Sequence, residues 1–333
     1  MFQVEKLKEL AGKENVWEGE LLSKHTTFRI GGAARCYITP QTITALVQTL
    51  SYIREEKEPY FLMGNGSNLL VNDEGFDGVV VATHRNRQED SVTEDDALDA
   101  IHVIADEKQK KRLTDKLKCN QFLEEAAGKT LVYAGSGVML SKLSAFAAKQ
   151  SLAGFEFASG IPGTLGGAVT MNAGAYGGEI KDSILGAQIL LSDGTVVFWN
   201  KEELELGYRT SRIQKEDCIV LSAVFAWEDG NKEEIQQKMQ ELNRSRREKQ
   251  PLEYGSAGST FKRPEGHFAG KLIQDAGLKG YRVGDVMVSD KHAGFVVNVG
   301  NGTCAQADEV ISHDQKTLQE KFGVFLETEV KRI

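Results

Sequence analysis

Cysteine is scarce in this chain and never occurs in closely spaced pairs. The 333 residues include four cysteines, Cys36, Cys119, Cys218 and Cys304, with no CxxC motif and no histidine at metal-ligand spacing. Disulfide frameworks and zinc modules need paired or closely spaced ligands. We therefore expect free thiols in a reducing compartment and no bound metal.

Long apolar runs and an excess of basic charge are also missing. No stretch of about 18 apolar residues occurs, so a membrane-spanning helix is not predicted. The amino-terminal segment is charged and lacks an apolar core, which argues against a secretory signal and favours the cytoplasm. With 40 basic and 48 acidic residues, the net charge of −8 argues against a protein that coats nucleic acid.

Proline is rare, whereas glycine is abundant. Five prolines against 34 glycines exclude a collagenous chain and argue against disorder, because both compositions are rich in proline. The glycines cluster between apolar runs, as in tight turns or backbone that lies close to a ligand. The length suits about two domains, or three small ones.

Apolar periodicity predicts alternating helices and strands. One helix is expected to open at Thr39-Pro40, and residues 187–200 are predicted to form a hairpin with Asp193-Gly194 in a type I′ turn. Between Arg85 and Lys129, 20 of 45 residues are charged, which predicts a surface insertion with at most one solvated helix, at 106–125. Other expected elements are strands at 60–63, 69–71, 78–82, 131–134, 219–227, 295–299 and 324–330, and helices at 141–147 (capped by Ser141), 231–249, 269–276 and 305–322.

Two glycine-rich loops could bind a ligand. In Gly64-Asn65-Gly66-Ser67-Asn68, successive backbone N–H groups can face one anion, although a plain turn explains these residues equally well. The loop has neither a Walker motif nor a GxGxxG pattern. The second loop, at 159–178, has seven glycines among 20 residues, so its backbone can lie flat against a planar or phosphorylated ligand. A crossover that packs only against protein is the alternative there.

A third group of residues is of a catalytic type. Tyr208 and Arg209 place a guanidinium beside hydroxyl groups, Ser259 follows a glycine, and Glu329 lies in the last predicted strand. No Gly-x-Ser-x-Gly elbow surrounds Ser259, which argues against an acyl nucleophile. Spacing alone does not bring these residues together, and surface ion pairs or turn hydroxyls explain each one singly.

Eight sequence blocks occur in order along the chain: RIGGAARCYITP, GNGSNLLV, SGIPGTLGGAVTMNAGAYGGEI, YRTSR, GSTFKRP, GLKGYRVGD, SDKHAGFVVN and LETEVKRI. Together they resemble the UDP-N-acetylenolpyruvoylglucosamine reductases. The resemblance covers nearly the whole chain except the amino-terminal segment and the charged insertion. GLKGYRVGD and SDKHAGF resemble the shorter branch of that family, which lacks an additional tyrosine-bearing loop.

The resemblance implies an α+β fold, with a two-lobed FAD-binding fold of the vanillyl-alcohol-oxidase type and a C-terminal α+β substrate-binding domain. The expected domains are a first lobe at 1–83 completed by 323–333, a second lobe at 84–230 with the insertion at 85–129, and a substrate-binding domain at 231–322. The implied reaction, in peptidoglycan precursor synthesis, is reduction of the enolpyruvyl ether of UDP-N-acetylglucosamine to UDP-N-acetylmuramate by NADPH.

Site residues are carried over from the same resemblance. Arg209 and Glu329 would stabilise an enol-like intermediate, and Ser259 would protonate C2 after reduced FAD has delivered hydride to C3. Since neither glycine loop contains histidine or cysteine, we expect non-covalent FAD. The residues implied in FAD binding are Gly64, Asn65, Gly66, Ser67, Asn68, Gly160, Ile161, Pro162, Gly163, Gly167, Asn172 and Gly174, and those implied in substrate binding are Tyr208, Lys249, Lys262 and Arg263.

Two other functions compete with this interpretation. Another FAD-dependent oxidoreductase of the same cofactor fold would use a different donor or acceptor, and a nucleotide-binding protein would have no catalysis. The residues Arg209, Ser259 and Glu329 argue against both, since they lie outside the flavin loops. The expected partners are small molecules, with neither nucleic acid nor a membrane.

Overall fold

The computed structural model describes residues 2–84, 96–119, 126 and 128–333. Helices and strands are mixed along this part of the chain and form three regions, each organised around a sheet of its own. This mixture confirms the predicted α+β class. None of the helices in the described ranges is long and apolar enough to cross a membrane.

The first region, the first lobe, is built on a parallel sheet with one antiparallel edge. Its elements are α1 (Val4–Ala11), β1 (Val16–Leu21), β2 (Ala33–Ile38), α2 (Ile43–Glu55), β3 (Tyr60–Met63), β4 (Leu69–Leu70) and β5 (Phe76–Ala82). The sheet order is β1-β2-β5-β3, and only β1 runs antiparallel to its neighbour. Fully buried Leu46, Leu50 and Ile53 of α2 pack in one cluster with strand residues. The loop Gly64–Asn68 therefore leaves the carboxyl end of a parallel strand, where ligands commonly bind.

The second region, the second lobe, has an antiparallel sheet. Its elements are β6 (Ile101–Ile104), α3 (Glu107–Leu117), β7 (Thr130–Gly135), α4 (Leu140–Lys149), β8 (Leu152–Ala153), α5 (Leu165–Thr170), β9 (Gly174–Ala175), β10 (Gly178–Glu179), β11 (Ile184–Leu190), β12 (Val196–Asn200), α6 (Arg212–Lys215), β13 (Ile219–Asp229) and α7 (Lys232–Lys249). The sheet order is β12-β11-β13-β7-β6. Phe155, Phe225 and Trp227 pack their rings together in its core.

The third region contains β14 (Gly255–Ser256), α8 (Ala269–Asp275), β15 (Arg282–Val283), β16 (Val286–Val288), β17 (Val296–Asn298) and α9 (Cys304–Phe322). Its antiparallel sheet has the order β14-β17-β16-β15. The chain then returns to the first lobe, where β18 (Lys331–Arg332) pairs with β4. Phe28, Ile30 and Leu70 of the first lobe belong to the same apolar cluster as this region.

The domain boundaries stay predictions, and two contacts bear on them. The return of β18 to β4 agrees with a first lobe completed by the last residues. Helix α7, which the prediction places at the start of the substrate-binding domain, packs on α4 and β8 of the second lobe.

Two helix starts differ from the prediction. The helix expected at Thr39-Pro40 begins at Ile43, because the Thr42 side chain accepts a hydrogen bond from the Ala45 N–H at 3.0 Å and caps it. Ser141 lies inside α4 and does not cap it; that helix has no side-chain cap.

Two predicted strand features also need correction. The hairpin at 187–200 is confirmed, but its turn is not type I′, since only Gly194 of the pair has a positive φ, +88°. The strand expected at 324–330 is wrong: this stretch has only an isolated bridge between Phe261 and Thr328, and the strand comes at 331–332.

Part of the charged insertion is integrated into the second lobe. Strand β6 joins the sheet beside β7, and Asp106 caps α3 by accepting a hydrogen bond from the Gln109 N–H at 2.8 Å. Leu113 and Leu117 are buried in an apolar cluster with sheet residues. The helix expected within 106–125 is therefore confirmed over 107–117, whereas the strand at 101–104 was not predicted. Phe122, placed in the predicted helix, lies outside the described residues.

Candidate active site

A cleft of about 470 Å³ lies between the first two lobes. Strand β3 and the whole Gly64–Asn68 loop line one side. The second glycine loop and β13 supply much of the other. The predicted cofactor residues in its wall are Gly64, Asn65, Gly66, Ser67, Asn68, Ile161, Gly163 and Gly167.

The two glycine loops are joined directly. The Asn65 side-chain amide donates a hydrogen bond of 2.8 Å to the carbonyl oxygen of Pro162. At Gly64 a Cβ atom would lie 2.1 Å from the Thr164 hydroxyl oxygen, so only glycine allows this approach. Gly66 has φ +60°, and a Cβ there would lie 2.2 Å from the His25 carbonyl oxygen. The conformation of the first loop is therefore restricted by the second glycine loop on one side and by the His25 backbone on the other.

Two buried hydroxyl groups in this cleft lack a partner within the described part of the chain. They belong to Ser136, which is fully buried, and Thr164, which is 1% exposed. Buried hydroxyls are normally hydrogen-bonded, so their oxygens indicate a polar ligand. Backbone at Gly163 and Gly167 is open, since a Cβ at either position would meet nothing nearer than 3.7 Å. This combination of donors and open backbone fits the diphosphate and sugar of FAD.

Four predicted cofactor residues lie outside the wall of this cleft, and their role stays a prediction. The carbonyl of Pro162 is engaged by Asn65, and Gly160 lies against Asn243 and Arg246. Asn172 donates to Glu179 at 2.6 Å and to the Gly207 carbonyl at 3.0 Å. Gly174 pairs with Glu179 in the β9–β10 ladder. The contacts of the last two hold the second loop itself together.

Arg209 and Glu329, 120 residues apart, form an ion pair. The Arg209 Nε donates to the Glu329 Oε1 at 2.7 Å, and the two side chains are only 21% and 11% exposed. Burial raises the pKa of Glu329, and the adjacent guanidinium offsets only part of that rise. Arg209 has φ +55°, an uncommon conformation for a non-glycine residue. The surrounding structure thus fixes a cation that spacing alone did not place.

Glu329 is connected to the first glycine loop and to the segment that carries Ser259. The Asn68 amide donates to the Glu329 carbonyl at 3.1 Å, and the Glu329 N–H donates to the Thr260 carbonyl at 2.9 Å. Ser259 is exposed, and its hydroxyl has no hydrogen-bond partner within the described ranges. A Cβ at the preceding Gly258 would lie 4.0 Å from the Ser67 carbonyl. Arg209 and Glu329 are therefore in contact at one edge of the cleft, and the segment that carries Ser259 lies beside them, although none of the three residues lines the cleft.

Three of the four predicted substrate residues, Tyr208, Lys262 and Arg263, lie near the Arg209–Glu329 ion pair. The Tyr208 hydroxyl accepts a hydrogen bond from the Arg263 N–H at 3.1 Å, and the Arg263 guanidinium lies 3.9 Å from the Phe268 ring centre. Lys262 forms an ion pair with Glu327. Lys249 is exposed at the end of α7. No contact among the described residues places Lys249 at this edge, and the substrate-binding role of all four residues stays a prediction.

Comparison with known proteins shows the family. A family model described as UDP-N-acetylenolpyruvoylglucosamine reductase, C-terminal domain, matches residues 250–333, and one described as FAD binding domain matches residues 104–199. The reductase of Lachnoclostridium phytofermentans is 46% identical, covering 99% of this chain and 96% of its own. That of Caldanaerobacter subterraneus subsp. tengcongensis is 43% identical, covering 98% and 97%.

This chain belongs to the UDP-N-acetylenolpyruvoylglucosamine reductases. It is therefore an FAD-dependent oxidoreductase, as the sequence blocks indicated. The similarity to relatives covers nearly the whole chain and so extends beyond those blocks.

Solved structures agree with this family. The reductase of Thermus caldophilus has a TM-score of 0.70 at 32% identity, covering 94% of this chain and 97% of its own. Substrate-bound p-cresol methylhydroxylase, 12% identical, has a TM-score of 0.53, covers 96% and 87%, and shares the fold alone. The FAD-binding fold of the vanillyl-alcohol-oxidase type is thereby confirmed.

Among the wall residues that the prediction did not name, three bear on cofactor binding. Ser136 and Thr164 supply the unpartnered hydroxyls, and Lys331 lines the wall from the last strand. Ser136 lies between Gly135 and Gly137, outside the two loops that the prediction singled out, and nothing in local spacing distinguishes Lys331 from other lysines. Thr164 follows Gly163 directly, so its position in the second loop was the one available signal.

Proposed function

We propose that this enzyme uses NADPH to reduce the enolpyruvyl ether of UDP-N-acetylglucosamine to UDP-N-acetylmuramate, a step of peptidoglycan precursor synthesis in the cytoplasm. The contact between Arg209 and Glu329, beside the Ser259 segment and the first glycine loop, carries this proposal. At this edge of the FAD cleft, Arg209 would supply the positive charge and Ser259 the hydroxyl group that the reaction needs.

Bound FAD, held without a covalent link, would accept hydride from NADPH and supply it to C3 of the enolpyruvyl group. The residues Gly64, Asn65, Gly66, Ser67, Asn68, Ser136, Gly163 and Thr164 would hold the cofactor. Their open backbone and unpartnered hydroxyls support this role. The cleft is continuous with the Arg209–Glu329 edge through Asn68.

Arg209 would offset the negative charge that develops at C2 and the carboxylate of the substrate. Fixed charges act most strongly in sites that exclude water, and both side chains of this ion pair are largely buried. Glu329 would keep the guanidinium oriented through its bond to Nε. An oriented cation requires no reorganisation during the reaction.

Ser259 would donate the proton to C2. Its hydroxyl is exposed at the cleft edge and makes no hydrogen bond that the substrate would have to break. Tyr208, Lys262 and Arg263 would bind the diphosphate or the carboxylate of the substrate, since they present cations and a phenol near this edge. Lys249 would join them, as the resemblance implies.

The two half-reactions test the role of Ser259. Hydride transfer from NADPH requires no proton at C2, so Ser259→Ala is expected to leave flavin reduction near normal. Reoxidation by the enolpyruvyl substrate is expected to slow by roughly 10²–10⁴-fold, the usual contribution of a general acid. Stopped-flow absorbance at the flavin band measures each half separately.

Ser256→Ala is the matched control, because Ser256 lies in β14 of the same segment and its hydroxyl accepts only one long hydrogen bond, of 3.5 Å, from the Gly258 N–H. Both half-reactions should stay near normal in it. Equal slowing of both halves in Ser259→Ala would indicate a binding or folding role. Unchanged reoxidation would remove the proton-donor assignment, and absence of substrate-dependent NADPH oxidation in the wild type would refute the proposed reaction.

A further inference from the structure

Asn172 lies in the second glycine loop but does not line the FAD cleft. Its side chain is buried, with 1% of the residue exposed. The amide nitrogen donates to the Glu179 carboxylate at 2.6 Å and to the Gly207 carbonyl at 3.0 Å, and the amide oxygen accepts the Lys181 N–H at 3.0 Å. An asparagine side chain has only two N–H groups to donate, so neither remains for a ligand.

The bond to Gly207 reaches the turn that carries Arg209. Gly207 and Thr210 close this turn with two backbone hydrogen bonds, of 3.0 and 3.4 Å. Arg209 is the third of its four residues and has φ +55°, at a position where turns that need a positive φ usually have glycine. A non-glycine residue keeps such a conformation only when the surrounding contacts hold it. The contacts of this turn therefore fix the direction of the Arg209 side chain.

The second glycine loop holds this turn at three points. One is the Asn172 bond. At the other two, the fully buried Ser211 donates from its hydroxyl to the Thr170 carbonyl at 2.5 Å, and the Arg209 Nη2 donates to the Gly174 carbonyl at 3.5 Å. Of these three contacts, only the first uses a side chain of the loop. A substitution at Asn172 can therefore release the turn without changing Arg209 itself.

Glu179 fixes the Asn172 amide from the other side. Its carboxylate accepts the Asn172 hydrogen bond and forms an ion pair of 3.0 Å with Lys181. The hydrogen bond from Lys181, and to a smaller extent the one from Asn172, hold the pKa of Glu179 below its ordinary value. An ionised acceptor strengthens the hydrogen bond that orients the amide.

We propose that Asn172 is a positioning residue, which holds the turn that presents Arg209 to Glu329 and makes no contact with FAD. A cation that is already oriented requires no reorganisation while charge develops on the substrate. Loss of the Asn172 bond should therefore slow the step that Arg209 assists and spare hydride transfer from NADPH to the flavin. The inference rests on the proposed function for the role of Arg209.

The test is a double-mutant cycle, measured in the two half-reactions by stopped-flow absorbance of the flavin. Asn172→Gly removes the amide and tolerates the φ of +45° at this position. It should leave flavin content and flavin reduction near normal and slow reoxidation by the enolpyruvyl substrate roughly 10–100-fold. In an Arg209→Gln background the same substitution should slow reoxidation no further, because an effect exerted through Arg209 disappears with that side chain.

Two further variants separate the Gly207 bond from general damage to the loop. Asn172→Asp combined with Glu179→Gln exchanges donor and acceptor between these side chains, so their contact stays while Gly207 loses its N–H donor. Reoxidation should slow as in Asn172→Gly. Lys181→Met is the matched control, because it removes the ion pair with Glu179 and leaves both Asn172 bonds. Both half-reactions should stay normal in it.

Equal slowing of both half-reactions in Asn172→Gly would overturn the proposal, and so would effects that multiply in the double variant. Flavin loss that excess FAD reverses, with normal reoxidation once loaded, would assign Asn172 to the cofactor instead. Unchanged reoxidation in Arg209→Gln would overturn both this proposal and the role proposed for Arg209.

A measurement without substrate keeps the two proposals distinguishable. In protein with isotopically labelled arginine, the Nε–H resonance of Arg209, assigned through Arg209→Gln, reports its bond to Glu329. It should move in Asn172→Gly and stay in Lys181→Met. An unmoved resonance would overturn the positioning role. A moved resonance in an enzyme that the enolpyruvyl substrate does not reoxidise would support that role and refute only the proposed reaction.

Discussion

Asp314 is a buried carboxyl group whose ionisation should make the stability of the protein depend on pH. It lies in α9 on the same face as Val310, Ile311 and Leu318, which belong to the apolar cluster of the third region. The side chain is fully buried, and neither carboxylate oxygen has a hydrogen-bond partner among the described residues. Burial raises the pKa of Asp314 from 3.8 to about 7.

The sign of the effect follows from this shift. The folded protein favours the protonated carboxyl, so its contribution to stability is complete below about pH 3.8 and is lost as the pH rises toward about 7. One pH unit in this window corresponds to about 1.4 kcal/mol. Between about pH 5 and about pH 8, the free energy of unfolding should therefore fall by roughly 3 kcal/mol because of this one group.

Asp314→Asn removes the titration while keeping the shape. The buried amide has its own cost of about 1–3 kcal/mol, so the informative quantity is the pH dependence and not the absolute stability. Urea unfolding of both proteins at a series of pH values measures it. We expect the wild type to lose roughly 3 kcal/mol relative to Asp314→Asn across that range. Parallel curves would refute the reasoning, since they would mean that Asp314 is ionised or solvated in the folded protein.

Two further substitutions test the cofactor loop and the contact between regions. Gly66→Val should give folded but largely colourless protein, because a Cβ there would lie 2.2 Å from the His25 carbonyl and would deform the loop. The 450 nm absorbance per protein measures this. Gly19→Val is the control, because Gly19 has a φ of +64° and a Cβ there would meet nothing within 4 Å. Wild-type flavin content in Gly66→Val would remove the loop from the site. Asp73→Ala should destabilise the protein by about 1 kcal/mol in urea unfolding, since the Asp73 carboxylate caps α9 through the N–H groups of Cys304 and Ala305 at 2.7 and 3.0 Å. An unchanged midpoint would show that water replaces this cap.

Local features of the fold could be predicted from the sequence because their causes are local. The 187–200 hairpin depends on alternating apolar residues and a glycine turn, and α7 depends on the Asn231 cap and its basic end. The strand at 101–104 was missed because its burial comes from β7, which follows after 25 residues of charged sequence. Composition correctly predicted a highly charged segment, but it did not predict that part of this segment packs on the sheet.

In the candidate site, too, local features could be predicted from the sequence and contacts between distant residues could not. The first glycine loop could be singled out from its residues, because small side chains directly after a strand allow successive backbone N–H groups to face one anion. The Arg209–Glu329 ion pair could not, because it joins residues 120 positions apart through the return of the chain to the first lobe. Only resemblance to known reductases grouped these residues. Lys331 was missed for the same reason, as its position depends on the pairing of β18 with β4.

The shared cluster of the first and third regions limits how this chain can be divided. The Asn298 amide donates to the carbonyls of Phe28 and Arg29 at 3.2 and 3.3 Å, while Phe28, Ile30 and Leu70 complete the apolar cluster of the third region. A fragment of residues 250–333 alone, although it matches a family model, would expose that cluster to water. Fragment complementation, with residues 1–249 supplied separately, should therefore restore a folded third region where expression of the fragment by itself does not.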